Sequence, residues 1–290
     1  MLNLWGSKAT CHLLEFIRIG RASLEAATSS AMFFVSALIS FGVFLLLCPC
    51  TIATLVPIVP AIEVFLYIQI ILHGICLSMA STNGTNEQMT RVPPKNDASL
   101  RYSFKQSTRW YTSLFLRSVP SSIISHVIYL VALGELMWGL DQKFVEEHCS
   151  FDNHTMGRPS LGSIIRCKDL KSYSGPPIIA AGILALSSLA LCTTILSASF
   201  VFRTEPIFSE VPWRQNCQWA ISVVISIILI FCYLMGTLER GTMLVLPGYF
   251  YVMFVIAPFV SIALSEMVKH ADQKQEKRAV MMRRLQFETR

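Results

Sequence analysis

Apolar residues in this chain come in long blocks and do not alternate with polar ones. The clearest block runs from about Ala31 to Met79, is interrupted around Pro57 and Pro60, and carries a single formal charge, Glu63. A bilayer core about 30 Å thick takes roughly 20 helical residues to cross, because each residue advances about 1.5 Å along the helix axis. The block therefore predicts two membrane spans joined by a tight turn.

The same pattern continues along the chain and predicts six spans in all. Their positions are 31–56, 57–79, 110–134, 175–202, 217–237 and 242–265. Composition agrees, since 53% of the residues are hydrophobic and 14% are charged, whereas soluble domains average about 25% charged residues. We therefore predict an all-α, polytopic six-helix transmembrane bundle, with a cytosolic stalk-like segment at 1–30 and a basic cytosolic tail at 266–290.

Basic residues are unevenly distributed between the two sides of this predicted bundle. An even number of spans puts both termini on one side, which carries 17 of the 24 lysines and arginines, while the opposite side carries six and Arg117 lies within a span. Cytosolic segments carry the excess of lysine and arginine in membrane proteins. Both termini are therefore predicted to face the cytosol.

The long 135–174 loop is then predicted to lie in the lumen of the secretory pathway or outside the cell. It contains Asn153 in an Asn-His-Thr acceptor sequence, between Cys149 and Cys167. N-glycosylation and disulfides both belong to that environment. Asn153 is thus a glycosylation candidate, and the two cysteines are either a disulfide or two free thiols.

Ionisable groups within the spans are the candidates for function, since such groups are costly in a bilayer and often mark ion pathways. The second span carries Glu63, Gln69 and His73, the last two on one helix face. Glu63 is alternatively an interfacial carboxylate, and Gln69 and His73 alternatively bond a neighbouring helix. In the third span Arg117 is close enough to the cytosolic end to snorkel, and His126 has no evident partner.

A further feature of the first span is the tripeptide Cys48-Pro49-Cys50. Paired thiolates suit soft metals such as Cu(I) and Zn. In heavy-metal pumps a phosphorylation sequence follows this tripeptide, but none follows it here. The alternative is a proline that kinks the helix, and we predict no metal site here.

Catalytic motifs are absent from the sequence. It has no Walker A loop, no GxSxG, no HExxH and no Asp-Lys-Thr-Gly phosphorylation sequence. We predict no catalytic residue, and the chain by itself is not expected to bind and split ATP.

Two stretches resemble parts of the P-type cation ATPases. The run 17–22, Ile-Arg-Ile-Gly-Arg-Ala, resembles the stalk leading into their fifth membrane helix, and the proline-containing stretch 56–67 resembles the turn into their sixth. The Arg-Thr-Glu-Pro at 203–206, the lumenal region from Cys149 and the ending at 284–289 are similar to P-type-ATPase-like magnesium transporters of the endoplasmic reticulum.

The resemblance implies that the six spans correspond to membrane helices five to ten of such a transporter. The ATP-handling domains and the first four membrane helices would then be partners of this chain, either in a longer protein or in trans. The lipid bilayer is a further expected partner, and nucleic acid is not expected to be one. It also implies Mg²⁺ as the transported ion. His73 is a departure, because cation pumps commonly have aspartate there and imidazole is a poor ligand for Mg²⁺. The competing hypothesis is a non-catalytic membrane subunit or scaffold.

Overall fold

A computed structural model describes residues 2–51, 60–81, 104–140, 175–201, 216–238 and 240–288 of the chain. These residues form seven helices: α1 (Leu2–Thr51), α2 (Ala61–Ala80), α3 (Phe104–Leu140), α4 (Pro176–Val201), α5 (Cys217–Thr237), α6 (Arg240–Val245) and α7 (Gly248–Glu288). All of them except α6 are long and apolar enough to cross a membrane. The predicted all-α bundle of six spans is confirmed, and the chain is an integral membrane protein.

The first and last helices are longer than the bilayer requires. Helix α1 is continuous through Thr51, so the stalk-like segment and the first span form one rod. Helix α7 likewise continues through the predicted tail as far as Glu288. The predicted end of the first span, at 56, lies outside the described residues.

Helix α2 changes its winding part of the way across. It is α-helical over Ala61–Phe65, π-helical over Leu66–Leu72 and α-helical again over His73–Ala80. Pro60 precedes it, and the Pro60 carbonyl accepts a hydrogen bond from the Glu63 amide at 2.9 Å. A proline fits this position because the first amide groups of a helix need no intrahelical acceptor. π-Helical turns are rare and occur frequently at functional sites, which draws attention to α2.

Helix α4 is the centre of the bundle. Its most apolar 18-residue window is 89% buried, and the helix contacts all five other spans. Half of its 26 residues are Gly, Ala, Ser, Thr or Cys. Small side chains allow the backbones of membrane helices to approach closely, so the composition of α4 explains its central position.

Helices α1 and α3 are joined by a seam of buried serines. Ser36 and Ser118 share a hydrogen bond between their hydroxyls at 2.7 Å, and Ser121 donates to the Ser40 hydroxyl at 3.0 Å. The Ser122 hydroxyl donates to the Ser40 carbonyl at 2.7 Å. Interhelical hydrogen bonds of this kind hold membrane helices together where the hydrophobic effect does not.

One close approach yields a stability prediction. A Cβ atom on Gly139 of α3 would lie 2.0 Å from Val245 Cγ1 of α6. Alanine is better than glycine in a helix by about 1 kcal/mol, but overpacking costs about 1 to 3 kcal/mol. We expect Gly139→Ala to lower the thermal unfolding midpoint, which is measured by the tryptophan fluorescence of the purified protein.

Gly236→Ala on α5 is the matched control, since a Cβ there meets nothing within 4 Å. It is expected to leave the midpoint unchanged or to raise it. Equal midpoints for the two alanine variants would contradict the close contact between α3 and α6.

Candidate functional site

Glu63 lies inside the bundle against the central helix. Its exposed fraction is 3%, and the Ser187 hydroxyl donates to its Oε1 at 3.2 Å. Ser187 is the twelfth of the 26 residues of α4, so the carboxylate sits close to the middle of that helix. Glu63 is thus enclosed by the bundle, although it is only the third residue of α2.

The second oxygen of this carboxylate is left without a partner. Glu63 Oε2 is buried and has no hydrogen-bond partner within the described ranges. A buried carboxylate oxygen without a partner is costly, so this position calls for a proton, a water molecule or a cation.

One turn further along α2, Tyr67 makes a second polar contact with α4. The Tyr67 hydroxyl donates to Thr193 Oγ1 at 3.3 Å, and the Thr193 hydroxyl donates to the Leu189 carbonyl at 2.9 Å. Tyr67 is 1% exposed and belongs to the π-helical part of α2. The face of α2 that carries Glu63 and Tyr67 therefore forms hydrogen bonds with the hydroxyls of α4.

Three helices contribute hydroxyls around the buried thiol of Cys192 on α4. Ser125 of α3, Ser188 of α4 and Ser261 of α7 face this thiol. Each of the three hydroxyl oxygens is buried and lacks a nitrogen or oxygen partner in the part of the chain that the structure describes. We call these three serines with Cys192 the hydroxyl cluster. Because consecutive residues of an α-helix point about 100° apart, Ser188 and the cluster lie on a different face of α4 from Ser187.

Gln69 and His73 lie elsewhere. Both are exposed on the outer face of α2, and they share that face as their spacing predicts. The His73 ring donates from Nδ1 to the Ile68 carbonyl at 2.7 Å and packs 5.2 Å from the Phe34 ring. The structure thus does not bring these two candidates together with Glu63.

The two ionisable groups of the third span both have partners in the structure. Arg117 forms an ion pair with Asp272 of α7 at 3.5 Å, and its guanidinium lies 5.6 Å from the centre of the Phe200 ring. The Ser113 hydroxyl donates to the same Asp272 oxygen. His126 lies beside Cys48 of α1, with 3.7 Å between Nδ1 and Sγ.

The remaining predicted residues are outside the described part of the chain. Cys149, Asn153 and Cys167 all fall within 141–174, so the disulfide and the glycosylation stay predictions. No three side chains of histidine, cysteine, aspartate or glutamate lie together as a metal-ligand group in the described ranges.

Sequence reasoning missed the hydroxyl groups of α4 that bond Glu63 and Tyr67. Ser187 and Thr193 were hidden in a span that reads as uniformly apolar. The available signal was the frequency of hydroxyl side chains in this span, which is unusual for a helix facing lipid.

Fold and site together define an integral membrane protein with a buried carboxylate and a hydroxyl-lined interior. In comparisons with known proteins, no family model matches the chain and no curated protein matches it significantly.

Proposed function

We propose that this chain is the membrane-domain portion of a P-type-ATPase-like cation transporter, with Glu63 on the ion pathway. The observation that carries the proposal is the buried Glu63 carboxylate near the middle of α4, with one oxygen bonded to Ser187 and the other without a partner. Ionisable groups inside membrane bundles are retained chiefly where they handle ions, protons or ligands.

The donor chemistry near Glu63 supports a hard cation. Its partner on α4 is the Ser187 hydroxyl, and Tyr67, one turn further along α2, bonds the Thr193 hydroxyl of the same helix. Carboxylate and hydroxyl oxygens are the ligands of Mg²⁺ and Ca²⁺, and Mg²⁺ keeps several of its waters and uses one or two carboxylates. A single buried carboxylate among hydroxyls suits a partly hydrated Mg²⁺ ion.

The resemblance of the chain to P-type cation ATPases supports the remaining parts of the proposal. It supplies Mg²⁺ as the ion, the endoplasmic reticulum as the location and the ATP-handling domains as the energy source, in a longer protein or in trans. The charge distribution supports cytosolic termini, because α1 and α7 carry many basic residues beyond their spans. Gln69 and His73 are exposed on the outer face of α2 in this chain, so the proposal rests on Glu63 and not on them.

The second candidate is a non-catalytic membrane subunit or scaffold. The serine seam and the Arg117–Asp272 ion pair favour it, since they are contacts that hold helices together. In that case Glu63 would be protonated and would serve as a hydrogen-bonding group within the bundle.

The native polypeptide distinguishes the two candidates. The endogenous protein is tagged at the end of α7, purified, sized and incubated with radioactive ATP. We expect a product several times heavier than 32.5 kDa, or a complex of that size, that forms an acid-stable phosphoenzyme. A native product near 32.5 kDa that neither forms a phosphoenzyme nor copurifies with an ATPase would favour the scaffold and contradict the proposal.

A linked prediction concerns the chain by itself. Expressed without other domains, it is expected to release no phosphate from ATP above the level of membranes that lack it, because the sequence has no phosphate-binding loop and no phosphoryl acceptor motif. Phosphate release above that background by the purified chain would overturn this prediction.

A further inference from the structure

The outer face of α2 carries polar groups in the middle part of its span. The side chains exposed there recur every three or four residues along the helix and are those of Ile62, Phe65, Gln69, His73 and Leu77. Gln69 is the ninth and His73 the thirteenth of the 20 residues of α2. We call these five residues the α2 outer stripe.

The outer faces of α5 and α7 are different in composition. Over 221–231 the exposed side chains of α5 are Ile, Val, Leu and Phe, and over 252–267 those of α7 are Val, Ile, Phe, Ala, Leu and Met. Hydrocarbon offers no hydrogen-bond partner, so a polar side chain that faces it is costly. The faces of α5 and α7 therefore suit lipid, whereas the α2 outer stripe does not.

The amide of Gln69 is the first polar group of the stripe. It offers two donor hydrogens and an acceptor oxygen, and within the described ranges it has no hydrogen-bond partner. Gln69 belongs to the π-helical part of α2, the kind of turn that occurs frequently at functional sites. Glutamine side chains in membrane helices commonly form hydrogen bonds with another helix, so the exposed amide indicates a missing neighbour.

His73 adds an acceptor to the same stripe. Its Nδ1 bonds the Ile68 carbonyl at 2.7 Å. Because a carbonyl only accepts, the proton of the neutral ring is on Nδ1 and Nε2 carries a lone pair. The ring is also held by Phe34 of α1, 5.2 Å away. The stripe thus presents an acceptor at His73 and both donor and acceptor at Gln69.

The stripe is open along the span. Helix α2 packs against α1, α4 and α5, and on the α5 side a Cβ atom on Gly74 would lie 3.9 Å from Ser222 Oγ. Ile62, Phe65 and Leu77 of the stripe are 65%, 57% and 72% exposed. A partner that runs along this stripe inside a bilayer must be helical, because its backbone groups have to be bonded within their own segment.

We propose that the α2 outer stripe is the docking surface for a further membrane-spanning helix, which places hydroxyl or amide side chains opposite Gln69 and His73. Such side chains match the donors and acceptors of the stripe. The inference rests on the proposed function for the source of the helix, which would be one of the first four membrane helices of the transporter. Helix α2 then has two polar faces, one with Glu63 toward α4 and one with Gln69 toward the partner.

Site-specific photocross-linking in native membranes tests the docking surface. Phe65 is replaced by benzoylphenylalanine in cells in which this variant replaces the endogenous protein, the membranes are irradiated, and the captured peptide is sequenced by mass spectrometry. We expect an apolar segment of about 20 residues from outside the six spans, with hydroxyl or amide side chains near its middle. Capture of lipid alone, or of a second copy of this chain, would overturn the proposal.

Phe259 of α7 is the matched control position. It is 61% exposed on an outer face that has no polar side chain over 252–267. Benzoylphenylalanine at this position is expected to capture lipid and not the segment captured from position 65. Equal capture of that segment from both positions would contradict selective docking on α2.

Gln69→Leu tests the polar contact itself. Leucine removes the amide and suits lipid, so the purified chain is expected to keep its thermal unfolding midpoint. The cross-link from position 65 to the partner helix is expected to fall about three-fold or more, as loss of an interhelical hydrogen bond predicts. An undiminished cross-link, or a lower midpoint of the purified chain, would show that Gln69 does not serve docking.

The outcome is separable from that of the transport proposal. A captured helix in a native complex that forms no phosphoenzyme would support the docking surface and contradict the transporter. Capture of lipid alone in a complex that does form a phosphoenzyme would overturn the docking surface and leave the role of Glu63 intact.

Discussion

Replacement of Glu63 by glutamine is expected to reduce cation uptake at least about ten-fold in the assembled transporter, with the amount of folded protein unchanged. Glutamine has the shape of glutamate and keeps an oxygen that accepts the Ser187 hydrogen bond, which is 3.2 Å long in the structure. The substitution therefore removes the negative charge and little else. A cation that depends on this carboxylate loses its charged ligand.

The effect is measured as divalent-cation uptake by vesicles from cells in which the variant replaces the endogenous protein. Glu135→Gln is the matched control, because Glu135 lies near the end of α3 and accepts a hydrogen bond from Tyr249 at 2.6 Å. It undergoes the same chemical change away from the proposed pathway and is expected to retain full uptake. Normal uptake by Glu63→Gln would show that transport does not need the Glu63 carboxylate and that the residue has a structural role.

Trp219→Ala is expected to have the largest effect on stability, a loss of about 3 kcal/mol or more in the free energy of unfolding. Trp219 of α5 is 1% exposed, and its ring nitrogen donates to the Ser197 hydroxyl of α4 at 3.0 Å. Truncation leaves a cavity next to the central helix and removes the donor to Ser197. Both losses weaken the attachment of α5, which packs against α4 and α2.

Equilibrium unfolding in mixed detergent, followed by circular dichroism, gives the size of this effect. Phe231→Ala on the same helix is the matched control, because Phe231 is 44% exposed on the outer face of the bundle. The control is expected to unfold at nearly the same denaturant concentration as the parent. Similar midpoints for the two variants would show that α5 is not held through Trp219.

The six spans were predictable because a bilayer leaves few alternatives. Backbone groups in hydrocarbon must bond within their own segment, so an apolar stretch of about 20 residues becomes a helix. The winding of α2 was not predictable, since nothing in the letters Leu-Tyr-Ile-Gln-Ile-Ile-Leu distinguishes a π-helix from an α-helix. It depends on how α2 packs against α4 and α1.

The candidate site was predictable in part. The charge of Glu63 stands out in an apolar block, and Gln69 and His73 share one face as their spacing requires. Which face of a span turns inward depends on the neighbouring helices. In α2 the face with Glu63 is buried, and the face with Gln69 and His73 is exposed. Ser187 is 124 positions away in sequence from Glu63, and a single sequence carries no signal for such a pairing.

The contact between Cys48 and His126 illustrates the same limit. Cys48 was visible in its tripeptide, and His126 was visible as an isolated polar group in the third span. Their approach to 3.7 Å follows from the packing of α1 on α3 along the serine seam. The helix interface, and not local sequence, creates the pair.

The decisive experiment on cation transport by this protein is to measure ATP-driven Mg²⁺ accumulation in vesicles of the endoplasmic reticulum. Vesicles carrying a Mg²⁺-sensitive dye in the lumen are prepared from cells with and without the protein, and ATP is added outside. We expect a rise in lumenal Mg²⁺ that is absent in cells without the protein and that returns with the native protein but not with Glu63→Gln. An equal rise in vesicles with and without the protein would show that the protein does not carry Mg²⁺ into the lumen.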